Sequence, residues 1–152
     1  MTDEPRYVIS DITIRNDGDW YSGQSRIENK SILLYFKKNL YSDINGLFIL
    51  NQFGLKTEKV YIKANGPVLK VTGIREDKFI LDNEEVLDIA LKEIVMDSQE
   101  RFYIVIEKLK AWGILTRGAV DDLRDRLTRE GDIYFWNKRP IRRMKEIPWF
   151  FG

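Results

Sequence analysis

Apolar and polar residues alternate over residues 11–16, where Ile12 and Ile14 mark one face of a half-buried strand. Asp17 and Gly18 follow, a pair that accepts the positive φ angles of a hairpin turn, and Trp20 resumes the extended chain. Over residues 28–40 the period changes. Ile32, Leu33, Phe36 and Leu40 fall at helical spacing, with Lys30, Lys37 and Lys38 on the other face, and Asn29 stands where an N-cap belongs. Past the turn cluster at residues 42–46, strands are expected at 47–50, 58–64 and 68–74, forming a meander. In the second of these Val60 and Ile62 alternate against Tyr61 and Lys63.

The second half reads similarly. A strand at 78–81 leads to an acidic turn at 82–85 and then to a short amphipathic helix through Leu87, Leu91 and Ile94. β-Branched and aromatic residues dominate 101–115, which predicts one or two strands. Thr116 is placed to cap a second helix over 117–130, with Val120, Leu123 and Leu127 on one face and Gly131 at its end. Residues 132–137 and 141–147 then form a closing hairpin around the turn at 137–140. Mostly antiparallel sheet with two main helices defines an α+β fold. The expected division is an N-terminal α+β subdomain, residues 1–74, and a β-rich C-terminal subdomain with one helix, residues 75–152, in a single unit.

Composition narrows the chemistry. The chain has no cysteine and no histidine. Thiolate and imidazole catalysis, disulfides, and zinc or iron–sulfur sites built on those ligands are therefore closed to it. No cofactor and no metal are expected. The opening residues lack a basic and an apolar region, and no apolar run reaches the ~20 residues of a membrane span. A cytoplasmic protein without membrane contact is the expectation.

The net charge of +1 conceals two blocks of opposite sign. Residues 75–100 hold three basic and nine acidic side chains, and residues 134–152 hold five basic and one acidic. The basic block, Lys138, Arg139, Arg142, Arg143 and Lys145 beside Tyr134, Phe135 and Trp136, has the composition of an anion-binding strand. The acidic block can meet that charge within the molecule, and a pI of 7.8 lacks the basic excess of a nucleic-acid domain. Nucleic acid is accordingly the third reading.

The stretch at 17–28 invites a calcium reading, with Asp17, Asp19 and Glu28 at the ends of a twelve-residue loop. Its middle fails, since Tyr21 and Ser22 stand where an EF-hand needs a ligand and a glycine. A hydrolase would have to use carboxylates, and Asp17, Asp19, Glu84, Glu85, Asp121 and Asp122 are the candidates. That is the second reading, because acidic residues at turns and helix starts have a simpler role in capping. The leading reading is a non-enzymatic module that binds a protein, a small molecule or a second copy of itself. Trp149, Phe150 and Phe151 are the candidate apolar anchor.

Ile14, Asp17, Gly18, Trp20, Tyr21, Gly23, Ile27, Leu34, Phe36, Leu40 and Gly46, with Leu109, Ala111, Arg117 and Leu123 further on, together resemble an uncharacterised bacterial family catalogued as domain of unknown function 1285. The resemblance implies a β-rich α+β protein in two small interleaved subdomains. It carries over no catalytic residue.

Overall fold

The computed structural model describes residues 5–89 and 93–151, and its chain divides into two compact units. Unit 1 comprises Met1–Val68, Glu107–Ala111 and Trp149–Gly152; unit 2 comprises Leu69–Ile106 and Trp112–Pro148. Among the described residues there are two α-helices and one short 3-10 helix (Glu107–Leu109) and strands dominate, so the α+β class holds.

In unit 1 the alternating segment ends a longer strand, β1 (Arg6–Ile14), which turns through Asp17 and Gly18 into β2 (Trp20–Ser22) and β3 (Ser25–Arg26). Gly18 adopts φ 86°, and its N–H donates to the Arg15 carbonyl at 2.8 Å. The Asp17 carboxylate accepts from the Asp19 N–H at 2.9 Å, which closes a turn of the usual Asx kind. Helix α1 (Lys30–Lys38) is capped by Asn29, whose side-chain oxygen accepts from Ile32 N–H at 3.0 Å. It leads to β4 (Leu40–Asp43), β5 (Gly46–Phe53) and β6 (Lys56–Ala64). Six strands form one sheet in the order β3-β2-β1-β6-β5-β4, antiparallel except where β1 runs parallel to β6.

Opposed residues on neighbouring strands share a face of the sheet, so the register sorts the side chains. Leu40, Ile49, Val60 and Val8 lie on one face. Helix α1 approaches this face through Tyr35, whose hydroxyl donates to Asn51 at 2.9 Å, and through Phe36, which stacks on buried Trp20 at 6.2 Å. The helical stripe is rotated from the expected one: Ile32 is 45% exposed and no α1 residue is fully buried. After β6 the chain passes so near the end of β1 that a Cβ at Gly66 would collide with the Arg15 carbonyl oxygen.

The expected meander breaks after β6. The strand that follows, β7 (Leu69–Arg75), belongs to unit 2 and pairs there with β8 (Lys78–Leu81), which pairs with β9 (Val86–Asp88). The short helix expected through Leu87 and Ile94 is not present at either residue. Leu87 pairs with Phe79 in β9, and Ile94 opens β10 (Ile94–Met96); Leu91 lies outside the described residues. Ladder pairing, of β9 with β8 and of β10 with β11 and β16, outweighs a weak local helical stripe. β11 (Phe102–Ile106) pairs with β10, and β12 (Ala111–Leu115) runs parallel to β7.

Helix α2 (Arg117–Arg124) carries the expected Thr116 cap, which accepts from Ala119 N–H at 3.3 Å, and it buries Ala119 and Leu123. It is shorter than its pattern suggested. Leu127 is taken by β13 (Leu127–Glu130), which pairs with β14 (Ile133–Trp136), and Gly131, at φ 60°, turns this hairpin instead of ending a helix. β15 (Arg139–Pro140) adds a third strand after a two-residue turn in which Asn137 and Lys138 both have positive φ. The last strand, β16 (Arg142–Arg143), leaves that hairpin and pairs parallel with β10. The closing hairpin is thus a three-stranded sheet plus an edge strand on a sheet ordered β16-β10-β11-β12-β7-β8-β9.

Candidate functional site

The face of the unit 1 sheet opposite Leu40, Ile49 and Val60 carries a row of aromatic rings. Tyr41 on β4 opposes Phe48 on β5, Phe48 opposes Tyr61 on β6, and Ile9 of β1 opposes Tyr61 with Tyr7 two residues before it. Successive ring centroids lie 6.0 Å apart from Tyr41 to Phe48, 5.5 Å from Phe48 to Tyr61 and 6.1 Å from Tyr61 to Tyr7. The row therefore crosses four strands. Its ends are open: Tyr7 is 59%, Tyr41 42% and Ile9 92% exposed, while Phe48 is buried between them.

A charged cluster sits in the middle of this row. One oxygen of Asp43 accepts from the Tyr61 hydroxyl at 2.6 Å and from Lys59 Nζ at 3.0 Å, and the other accepts from Asn45 N–H at 2.8 Å. Lys59 also lies 4.7 Å from the Phe48 ring centre. Burial alone would raise the Asp43 pKa, but the hydrogen bonds from Tyr61, Lys59 and Asn45 win and hold it below the usual carboxylate value. The hydrogen bond to Asp43 raises the Lys59 pKa, and burial followed by that same carboxylate raises Tyr61. All three groups move away from neutrality. They are fixed in their ordinary charge states, which suits a clasp and gives no group poised to exchange a proton near pH 7.

Unit 2 holds a buried counterpart. Asp97, 5% exposed, accepts from Gln99 and Arg101 N–H at 2.9 Å each, from Arg101 Nε at 2.8 Å and from the Tyr103 hydroxyl at 2.8 Å. Burial opposes its charge, yet these donors lower its pKa, while burial and then Asp97 raise that of Tyr103. Elsewhere in this unit two clefts share Trp136 as a wall. One, of about 490 Å³, is lined by Asp77, Ile89, Arg126, Trp136 and Asn137. The other, of about 200 Å³, is lined by Glu93, Ile94, Trp136, Arg139, Pro140 and Ile141. The indole N–H of Trp136 is buried and has no hydrogen-bond partner. Arg126 in the larger cleft is held by Asp77 at 3.2 Å and by the Glu76 carbonyl.

The residues singled out from sequence are scattered. Lys138 occupies the β14–β15 turn and Arg139 borders the smaller cleft. Arg142 pairs with Glu93 at 3.2 Å and Arg143 with Glu100 at 3.9 Å, so part of the basic block meets the acidic block within unit 2. Lys145 is exposed outside any strand. At the C-terminal end, Phe150 makes an antiparallel bridge with Ala111, and Phe151 N–H donates to the Lys110 carbonyl at 2.9 Å. Trp149 and Phe150 are half-buried and Phe151 is 48% exposed. Among the carboxylates, Asp122 accepts from Ile74 N–H at 3.1 Å, tying α2 to β7. Among the described residues no group of acidic side chains is arranged to hold a metal ion, and no helix is long and apolar enough to cross a membrane.

Sequence reasoning missed the aromatic row. Its signal was present, strand by strand, in the outward positions Tyr7 and Ile9, Tyr41 and Asp43, and Lys59 and Tyr61. Only the strand order β1-β6-β5-β4 shows that these positions are neighbours.

No family model and no curated protein matches the chain. Solved structures do. A DUF1285 family protein from Silicibacter pomeroyi DSS-3 superposes with a TM-score of 0.61 at 14% identity, covering 93% of this chain and 84% of that one. Another DUF1285 family protein, from Shewanella baltica OS155, gives a TM-score of 0.48 at 14% identity over 71% of this chain and 85% of its own. The first likeness shows that the fold resembled in the sequence is the fold this chain adopts.

Proposed function

We propose that this chain is a binding module, acting in the bacterial cytoplasm, whose docking surface is the aromatic row of unit 1. The observation that carries the reading is the row itself: Tyr41, Phe48, Tyr61 and Tyr7 in contact across four strands with exposed ends. Tyrosines present large, rigid, amphipathic area at low entropic cost, and the exposed rings of Tyr7 and Tyr41 on either side of buried Phe48 are side chains of the kind enriched at interfaces. The absent cysteines accord with a reducing compartment. Capture from the native cell tests it, comparing wild type with a Tyr7→Ser/Tyr41→Ser variant of unchanged melting temperature. Species held by the wild type and lost by the variant are the expected result; identical retention would sink the reading.

A small-molecule site in unit 2 is a second reading, favoured by the unsatisfied Trp136 N–H beside a cleft whose volume lies within the roughly 300–1,000 Å³ usual for such sites. A metabolite that raises the melting temperature of the wild type, and not of a folded Trp136→Phe variant, is its expected signature.

A further inference from the structure

The chain holds two Asn-Gly pairs, Asn45–Gly46 and Asn65–Gly66. Asparagine is a thermally labile residue, and a following glycine exposes it most, having no Cβ to keep its nitrogen away from the asparagine side-chain carbonyl. The fold treats the two pairs oppositely. Asn45 and Gly46 turn the β4–β5 hairpin, where Ile44 and Asn45 are exposed and nothing lies within 4 Å of the place that a Cβ on Gly46 would take. The rung that pairs Asp43 with Gly46 is the end of its ladder and opens at little cost. Asn65 is exposed as well, but its N–H donates to the Ile14 carbonyl at 2.7 Å, and Gly66 is buried so close to Arg15 and Asn16 that a Cβ would collide with their backbones. That segment cannot turn without parting from the end of β1.

We propose that Asn45–Gly46 is a site of spontaneous modification, at which deamidation of Asn45 loosens the Asp43–Tyr61–Lys59 cluster. The Gly46 nitrogen gives up its proton and attacks Asn45 Cγ; that N–Cγ bond forms, the Cγ–Nδ2 bond breaks, and ammonia leaves with the proton. Water then opens the cyclic imide at one carbonyl or the other, leaving aspartate or its β-linked isomer. No other reactant is needed, and the chemistry does not depend on what docks on the aromatic row. The product matters because of where Asn45 stands. Its N–H donates to Asp43 at 2.8 Å, and its side-chain amide donates to the Tyr61 hydroxyl, which itself donates to Asp43 at 2.6 Å. Deamidation turns that amide into a carboxylate, so a second negative charge joins a cluster whose cation, Lys59, already serves the first. The one hydroxyl proton of Tyr61 cannot be donated to both.

Ageing the full chain at mildly alkaline pH, with peptide mapping by mass spectrometry to follow each asparagine, tests the assignment. In the folded protein Asn45 should convert about tenfold faster than Asn65 or more; in urea, where packing no longer protects Gly66, the two rates should converge. Asn45→Gln, which keeps the amide on a longer side chain, should abolish the fast phase of ammonia release. Asn45→Asp, which supplies the charge of the product, should melt below wild type, most clearly at low salt. An Asn45 that converts no faster than Asn65 in the folded chain, or an Asn45→Asp variant that melts like wild type at low salt, overturns the proposal.

Discussion

Asp43 in unit 1 and Asp97 in unit 2 have the same kinds of partner in different surroundings. Each shares one oxygen between a tyrosine hydroxyl and a cation and gives the other to the N–H two residues on. In each, cation and tyrosine are two residues apart, Lys59 with Tyr61 and Arg101 with Tyr103. The carboxylates differ in exposure, 23% for the Asp43 side chain and 7% for Asp97. The cations differ the other way, 22% for Lys59 and 46% for Arg101. Unit 2 thus buries its acid and lets its cation reach water, which makes the acid an internal fastener. Unit 1 keeps all three groups at the surface among aromatic rings, where they can also meet a partner. The same arrangement of atoms thus fastens the interior of unit 2, and in unit 1 it stands where the proposed docking surface would use it.

Replacing the two acids gives the largest contrast. Asp97→Ala leaves the Tyr103 hydroxyl and two N–H groups without their acceptor in a buried setting, and should cost about 2–3 kcal/mol. For a chain of this size that lowers the melting temperature by roughly 5–10 °C. Asp43→Ala removes a half-buried cluster, its carboxylate 23% exposed against 7% for Asp97, and should cost less, about 1 kcal/mol. Paired thermal and urea melts measure both, and equal losses would mean that burial is not the distinguishing variable.

How much of this was legible depends on how local each feature is. Asn29 and Thr116 were readable as caps because each contacts an N–H three residues on. The turn at Asp17 and Gly18 was readable for the same reason. The parallel pairing of β1 with β6 was not, because Tyr7 and Lys59 meet only through tertiary structure. Leu87 and Ile94 deceived the helical periodicity because their sheet partners, Phe79 and Ile104, lie beyond the three- and four-residue spacing that a helical stripe registers. The Asp97 cluster lies within seven residues, from Asp97 to Tyr103, and its pieces stand together in the sequence. Asp43 lies 16 residues from Lys59, and nothing near it in the chain announces the pairing.

The tyrosines sharpen the comparison at high pH. Both have pKa values raised in the folded state, through burial first and the carboxylate second. A raised folded pKa contributes stability that is complete below the unfolded tyrosine value of about 10 and is lost as pH rises from there through the folded value. Tyr103→Phe should lower stability at neutral pH by about 1–2 kcal/mol and flatten this alkaline loss; Tyr61→Phe should do less of both. The acid limb has the opposite sign. Asp97 and Asp43 have lowered folded values, so their contribution is present above about pH 3.9 and is lost as pH falls through the folded value. Stability followed from pH 2 to 11 should therefore show a broad plateau, which Tyr103→Phe lowers while flattening its alkaline shoulder and, by removing one donor to Asp97, weakening its acid limb as well.

The cations give the smallest effect and the sharpest test of the division of roles. Arg101→Gln leaves Asp97 its backbone donors and the Tyr103 hydroxyl, and because Arg101 is nearly half exposed the change should cost about 0.5 kcal/mol. Lys59→Gln should likewise leave the melt little changed. The two should part company in association: Lys59 sits over the Phe48 ring within the row, so its loss should weaken docking there, whereas Arg101→Gln should leave docking unchanged. Salt at about 1 M, where screening acts over roughly 3 Å, should erase most of the stability difference between either variant and wild type. If Arg101→Gln weakens association as much as Lys59→Gln does, the docking surface is not confined to the aromatic row, and the assignment of stability to one cluster and recognition to the other fails.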